Sequence, residues 1–181
     1  DEAAALIDLL STAMDVRARL PAVIGGTGPG FLDDHAFAMQ AALAVLETRW
    51  SVPALQLATQ LAETLLSDFE DKEHGGFYFT PSDHEPLPQR PKLWLDDSTP
   101  AGNAAAIASL STLGFLLAEP RYLVAAEQAL RAGWTTISQQ PQAAPAMLAA
   151  LEDYRHPVPL VVIRGAGAAL ADWRAQLRAQ W

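Results

Sequence analysis

Apolar residues recur at spacings of three and four along most of the chain, a period that predicts a mainly α-helical protein. The first run, Glu2 to Leu20, reads as a helix stopped by Pro21, with Arg17 and Arg19 suited to the negative end of its dipole. Gly25 to Gly30 (GGTGPG) is too rich in Gly and Pro for a helix and reads as a loop. Leu32, Ala36, Met39, Leu43, Leu46 and Trp50 then form one stripe, which predicts a second helix over about 32–49. A third, over about 53–69, opens on Pro53 and carries Leu55, Ala58, Ala62, Leu65 and Phe69. The short turn between these two predicts an antiparallel helical hairpin. A fourth helix is expected from Pro100 or Gly102 to Ala118, and a fifth from Pro120 with its stripe at Leu123, Ala126, Leu130, Gly133 and Ile137. A short sixth follows over about 143–154.

Leu55 and Ala58 precede Leu123 and Ala126 by the same offset that separates Ala36 and Met39 from Ala104 and Ile107. Such self-similarity predicts a stacked array of hairpins or a toroid. Two segments break the helical pattern. Gly75 to Asn103 is turn-rich, and its runs Phe77–Thr80 and Lys92–Leu95 predict a short β-hairpin insertion over about 75–97. Near the end, Leu160 to Ile163 has a buried-strand composition, and a helix from about Ala166 carries Leu170, Trp173, Leu177 and Trp181. The chain therefore divides into a helical body over 1–156 and a strand–helix extension over 157–181.

Composition narrows the range of functions. The 181 residues carry a formal net charge of -9, which argues against nucleic acid as a partner and against an anionic membrane. No cysteine is present, so disulfides and thiol catalysis are excluded. No run is apolar enough for a membrane span, no signal peptide is visible, and a cytoplasmic location is expected. His35, His74, His84 and His156 lack metal-ligand spacing, so neither a metal nor another cofactor is expected.

The polar chemistry is concentrated around the insertion. Asp33 and Asp34 begin the second helix, and Asp96 lies at the end of the insertion. Carboxylates held in unlike environments can divide acid and base roles, as chemistry on sugars requires. The competing reading is that acids at a helix start simply complement its dipole. Arg90 and Lys92 alternate on an extended run and so share a face, which Asp96 joins if the run continues. An arginine fork there suits carboxylate or phosphate; the competing role is a structural cluster that pins the insertion to the helices. His35, Trp94 and Asn103 complete the candidate ligand-binding set, Trp94 because aromatic faces stack on sugars. The run Ser98 to Asn103 suits helix capping.

Four motifs occur in order: GPGFLDDHAF (Gly28–Phe37), GGFYFT (Gly75–Thr80), RPK (Arg90–Lys92) and D-x-x-x-PAGN (Asp96–Asn103). Together they resemble the C-terminal half of the thioredoxin-domain-containing proteins of the DUF255 or YyaL type, the family of spermatogenesis-associated protein 20. The resemblance covers about Gly28 to Gly165. It implies part of an (α/α)6 toroid, similar to that of N-acylglucosamine 2-epimerases and six-hairpin glycosidases. The family usually has Tyr at the position of His35 and Ser at that of Ala101. The family's thioredoxin-like domain and the first hairpins of its toroid have no counterpart in this sequence. Two functions follow as expectations. One is a helical scaffold or remnant without independent catalysis, completed by a second copy of the chain or by a missing N-terminal half. The other is a carbohydrate-processing site, with Asp33, Asp34, Asp96, Arg90 and Lys92 on a concave rim around a sugar-like small molecule.

Overall fold

The computed structural model describes residues 2–26, 28–85, 88–157, 159, 161, 163, 165 and 167–180. Among them are seven α-helices: α1 (Glu2–Ala13), α2 (Leu32–Thr48), α3 (Val52–Thr64), α4 (Gly102–Leu117), α5 (Pro120–Gln139), α6 (Pro145–Arg155) and α7 (Ala168–Gln180). A π-helical turn, Leu65–Phe69, prolongs α3, and a 3₁₀ turn, Pro141–Ala143, leads into α6. The mainly helical class expected from the periodicity is therefore observed. Among the described residues no helix is long and apolar enough to cross a membrane.

The largest departure is at α1, which stops at Ala13 rather than Leu20. The cause is Asp15, whose Oδ1 accepts the backbone N–H groups of Arg17 and Arg19 at 2.8 and 3.0 Å. An aspartate that satisfies local backbone donors competes with the helix, and Ala18 then turns the chain at a positive φ of 58°. Arg17 and Arg19 lie beyond the helix and pair with Asp83 of the insertion instead.

The centre of the body is α4. It packs against α2, α5 and α6 and touches α3. Its sequence explains the position: GNAAAIASLSTLGFLL is built largely of small residues, and burial runs around it from Gly102 to Gly114. A helix apolar on every side is a buried helix, and small side chains let its neighbours approach closely. Gly114 meets Leu123 of α5 so closely that a Cβ there would lie 2.8 Å from a Leu123 methyl. The hairpins α2–α3 and α4–α5 are the two expected from the repeat, and corresponding positions match. Met39 and Ile107 are both fully buried, as are Ala58 and Ala126. Tyr122 fastens α5 to α3 through a 2.6 Å hydrogen bond from its hydroxyl to Glu63.

Among the described residues the insertion has no β-ladder. The run Phe77–Thr80 makes one isolated bridge among them, between Phe77 and Glu70, and a single backbone–backbone hydrogen bond, Phe79 N–H to Pro91 O, links it to the returning segment. The expected hairpin is thus replaced by two segments held by side chains together with scattered backbone bonds. The expected strand over 160–163 cannot be described as such, because Leu160 and Val162 lie outside the described residues, as does Trp181.

Because α4 is packed on all sides, Ala106→Leu should cost about 1–3 kcal/mol through overpacking. Urea unfolding is the measurement, with an unchanged slope expected beside a lowered midpoint.

Candidate functional site

The N-termini of α2, α4 and α6 meet at the insertion, and their unsatisfied N–H groups explain much of its chemistry. At α2, Leu32 N–H donates to Phe79 O at 2.9 Å, and Asp34 reaches back to accept Phe31 N–H at 2.8 Å. Phe31 and Phe79 stack with ring centroids 4.8 Å apart. At α4 and α6 one carboxylate serves both helices. Asp96 Oδ1 accepts Ala101 N–H and its Oδ2 accepts Ala146 N–H, each at 2.8 Å. The backbone N–H of Asp96 itself donates to Ala143 O. Asp96 therefore does not continue the face shared by Arg90 and Lys92.

His35 is fully buried. Leu20 N–H donates to its Nε2 at 3.0 Å, and its Nδ1 lies 2.7 Å from Phe31 O. The acceptor role of Nε2 places the proton on Nδ1, so the ring is neutral. Burial pushes its pKa below the ordinary histidine value, against smaller opposing effects of Phe31, Asp34 and Asp68. Asn103 is equally buried. Its amide oxygen accepts Phe77 N–H at 2.9 Å, and its amide nitrogen donates to Phe77 O and Leu93 O. This side chain supplies the pairing that a neighbouring strand would give.

Asp33 differs from these. It is partly buried, and its Oδ1 is sealed from solvent without a hydrogen-bond partner. Burial, then the charge of Asp34, raises its pKa above the ordinary aspartate value. A Cβ on Gly102 would lie only 1.9 Å from that oxygen, so glycine is needed where α4 approaches α2.

Arg90, Lys92 and Trp94 gather on the insertion's own cleft, an open hollow of about 710 Å³ also lined by Asp71, His74 and Tyr78. Arg90 and Lys92 do share a face: both cations lie over the Tyr78 ring, 4.1 and 4.9 Å from its centroid. Arg90 also donates to the backbone oxygens of Thr80 and Asp68. Lys92 Nζ donates to Asp71 Oδ2 at 2.6 Å and Gly75 O at 2.7 Å. Trp94 wedges between Gly76 and Gly133, where a Cβ would come within 2.4 and 2.6 Å of the indole. None of the hydrogen bonds or ion pairs of Arg90 and Lys92 reaches Asp33, Asp34 or Asp96, so the eight expected site residues do not form one site.

Asp71 is the main residue that the sequence reading missed. Its Oδ1 accepts the N–H groups of Glu73 and His74, while its Oδ2 takes the Tyr78 hydroxyl and Lys92. These bonds, with Lys92 foremost, outweigh burial and hold its carboxyl far below the usual aspartate range. In the sequence it sits within Glu70–Glu73, a charge run resembling a solvated helix end. The available signal was the following Gly75–Gly76 pair, whose φ values of 75° and 80° fold the chain back so that Asp71 N–H bonds Gly76 O.

No protein-family model matches the chain, and no curated protein matches it.

A carboxylate whose folded pKa is depressed stabilises the fold fully above its unfolded pKa, and the contribution disappears as pH falls towards the folded value. The Asp71 contribution should therefore be complete above about pH 4 and decline below it. Asp71→Asn should cost about 3–5 kcal/mol at pH 7, since it leaves Lys92 uncompensated. Thermal melts of both proteins from pH 7 down to pH 2 should show the gap narrowing below about pH 4.

Proposed function

We propose that the chain is a helical scaffold, part of an (α/α) toroid like that of the DUF255/YyaL-type thioredoxin-domain-containing proteins, and has no independent catalytic role. The observation that carries this reading is the internal commitment of the polar groups expected to meet a substrate. Asp34 and Asp96 cap helices, His35 and Asn103 are buried between backbone groups, and Lys92 is paired with Asp71.

The four motifs support the family reading in physical terms. Each supplies one part of the same contact network. GPGFLDDHAF provides Phe31, Asp34 and His35; GGFYFT provides the Gly76 turn, Phe77, Tyr78 and Phe79. RPK provides Arg90, the Pro91 carbonyl and Lys92, and D-x-x-x-PAGN provides Asp96, Ala101 and Asn103. The toroid reading draws on the neighbour pattern. Helices α2, α4 and α6 are successive neighbours with their N-termini at one rim, and α3 and α5 return between them.

A carbohydrate-processing site is the second reading. In its favour is Asp33, a partly buried carboxylate of raised pKa with one unengaged oxygen. It lacks the second, differently tuned carboxylate that such chemistry requires, because Asp34 and Asp96 are held as caps.

Asp96→Ala separates the readings. The scaffold role predicts a loss of about 2–4 kcal/mol, as two helix starts lose their acceptor together. A carboxylate kept for chemistry would leave the melting temperature near that of the parent protein. Calorimetric melting of the two proteins decides.

A further inference from the structure

We propose that the cleft of the insertion binds a small anionic ring compound, a carboxylate or phosphate ester, with Arg90 as its anchor. The inference does not depend on whether the helical body is a toroid or on its evolutionary origin.

Charge within the cleft is the first observation. Asp71 has both oxygens occupied, and its charge is answered by Lys92 at 2.6 Å. Arg90 has no such answer: among the described residues its partners are the Thr80 hydroxyl, two backbone oxygens and the Tyr78 ring, and no carboxylate comes within ion-pair distance. Every hydrogen bond it makes among the described residues leaves from Nε or Nη2, so Nη1 has no partner among them. A partly buried guanidinium without a counter-ion, in a chain of net charge -9, is an unsatisfied cation in an otherwise acidic protein. Arginine presents a planar fork that suits carboxylate and phosphate oxygens.

The shape of the cleft is the second. A hollow of about 710 Å³ matches a small molecule rather than a lone ion. Trp94, only partly buried, lines it, and an aromatic side chain in a cleft favours a ring-shaped body. At the rim, the exposed His74 offers a further donor; its Nδ1 lies 3.5 Å from Asp71 and its Nε2 3.9 Å from Glu73.

Backbone fixation makes the site preorganised. Thr80 O, Asp68 O and Tyr78 hold Arg90 in place before any ligand arrives, so little ordering accompanies binding.

The test is calorimetric titration of the intact chain with glucose 6-phosphate, glucuronate and phenyl phosphate, with glucose as the neutral control. The two acid types distinguish phosphate from carboxylate recognition. At least one anion should bind while glucose does not, and binding should weaken as salt is raised. Arg90→Gln should reduce affinity about tenfold or more, the usual scale for a lost charge-assisted bond. Because Arg90 also supports the loop, His74→Glu is the second variant: it adds a negative charge at an exposed rim position beside Asp71, and should weaken the anion in a protein that still melts cooperatively. Silence from all three anions, equal binding of glucose, or full affinity in His74→Glu would overturn the proposal.

Discussion

One carboxylate, that of Asp96, holds the starts of two helices at once. A helix start leaves several N–H groups without partners, and burying them unpaired is costly. The body brings three such starts to one rim, and three separate local caps would be the obvious solution. The chain instead satisfies most of them from the insertion: Asp96 serves α4 and α6, and the Phe79 carbonyl serves α2 beside that helix's own Asp34. The insertion is consequently part of how the helices are assembled. Asn103 reciprocates from within α4 by pairing with both backbone groups of Phe77. Helices and loop thus satisfy each other, without a β-ladder between them.

The same constraint sorts the chemistry. Groups nearest the helix starts are consumed by them, which is why Asp34, His35, Asp96 and Asn103 have little capacity left for a ligand. Side chains farther out on the insertion meet Tyr78, Asp71 and Trp94, and there a charge remains unanswered at Arg90. Fold maintenance and ligand recognition would then occupy adjacent halves of one loop. Trp94 connects them, since its indole fills the gap between Gly76 of the loop and Gly133 of α5.

Much of the helical body was legible from periodicity. The starts of α2, α4 and α5 fall where stripes, prolines and glycines placed them, and Met39 and Ile107, at corresponding positions of the two hairpins, are both buried. Asp15 was not legible, because its competing turn depends on two backbone donors downstream and the apolar stripe carries no trace of it. The insertion misled for a related reason. Phe77–Thr80 has strand composition, but its partner is the side chain of Asn103, and sequence pattern reports strand propensity rather than what fills the pairing edge. The candidate site was legible as a set of residue types and not as an arrangement. Alternation put Arg90 and Lys92 on one face, as both over Tyr78 confirm. No local pattern could show that Asp96 reaches Ala146, 50 residues away.

Native-state hydrogen exchange at three amides tests the interlocking of loop and helices most directly. Those of Phe77, Ala101 and Ala146 are each held by a side chain, Asn103 or Asp96, rather than by a regular ladder. If the insertion completes the helix starts, all three should exchange only as slowly as amides in the middle of α4, through global unfolding. Exchange at the rate of an open loop, with α4 still protected, would contradict it.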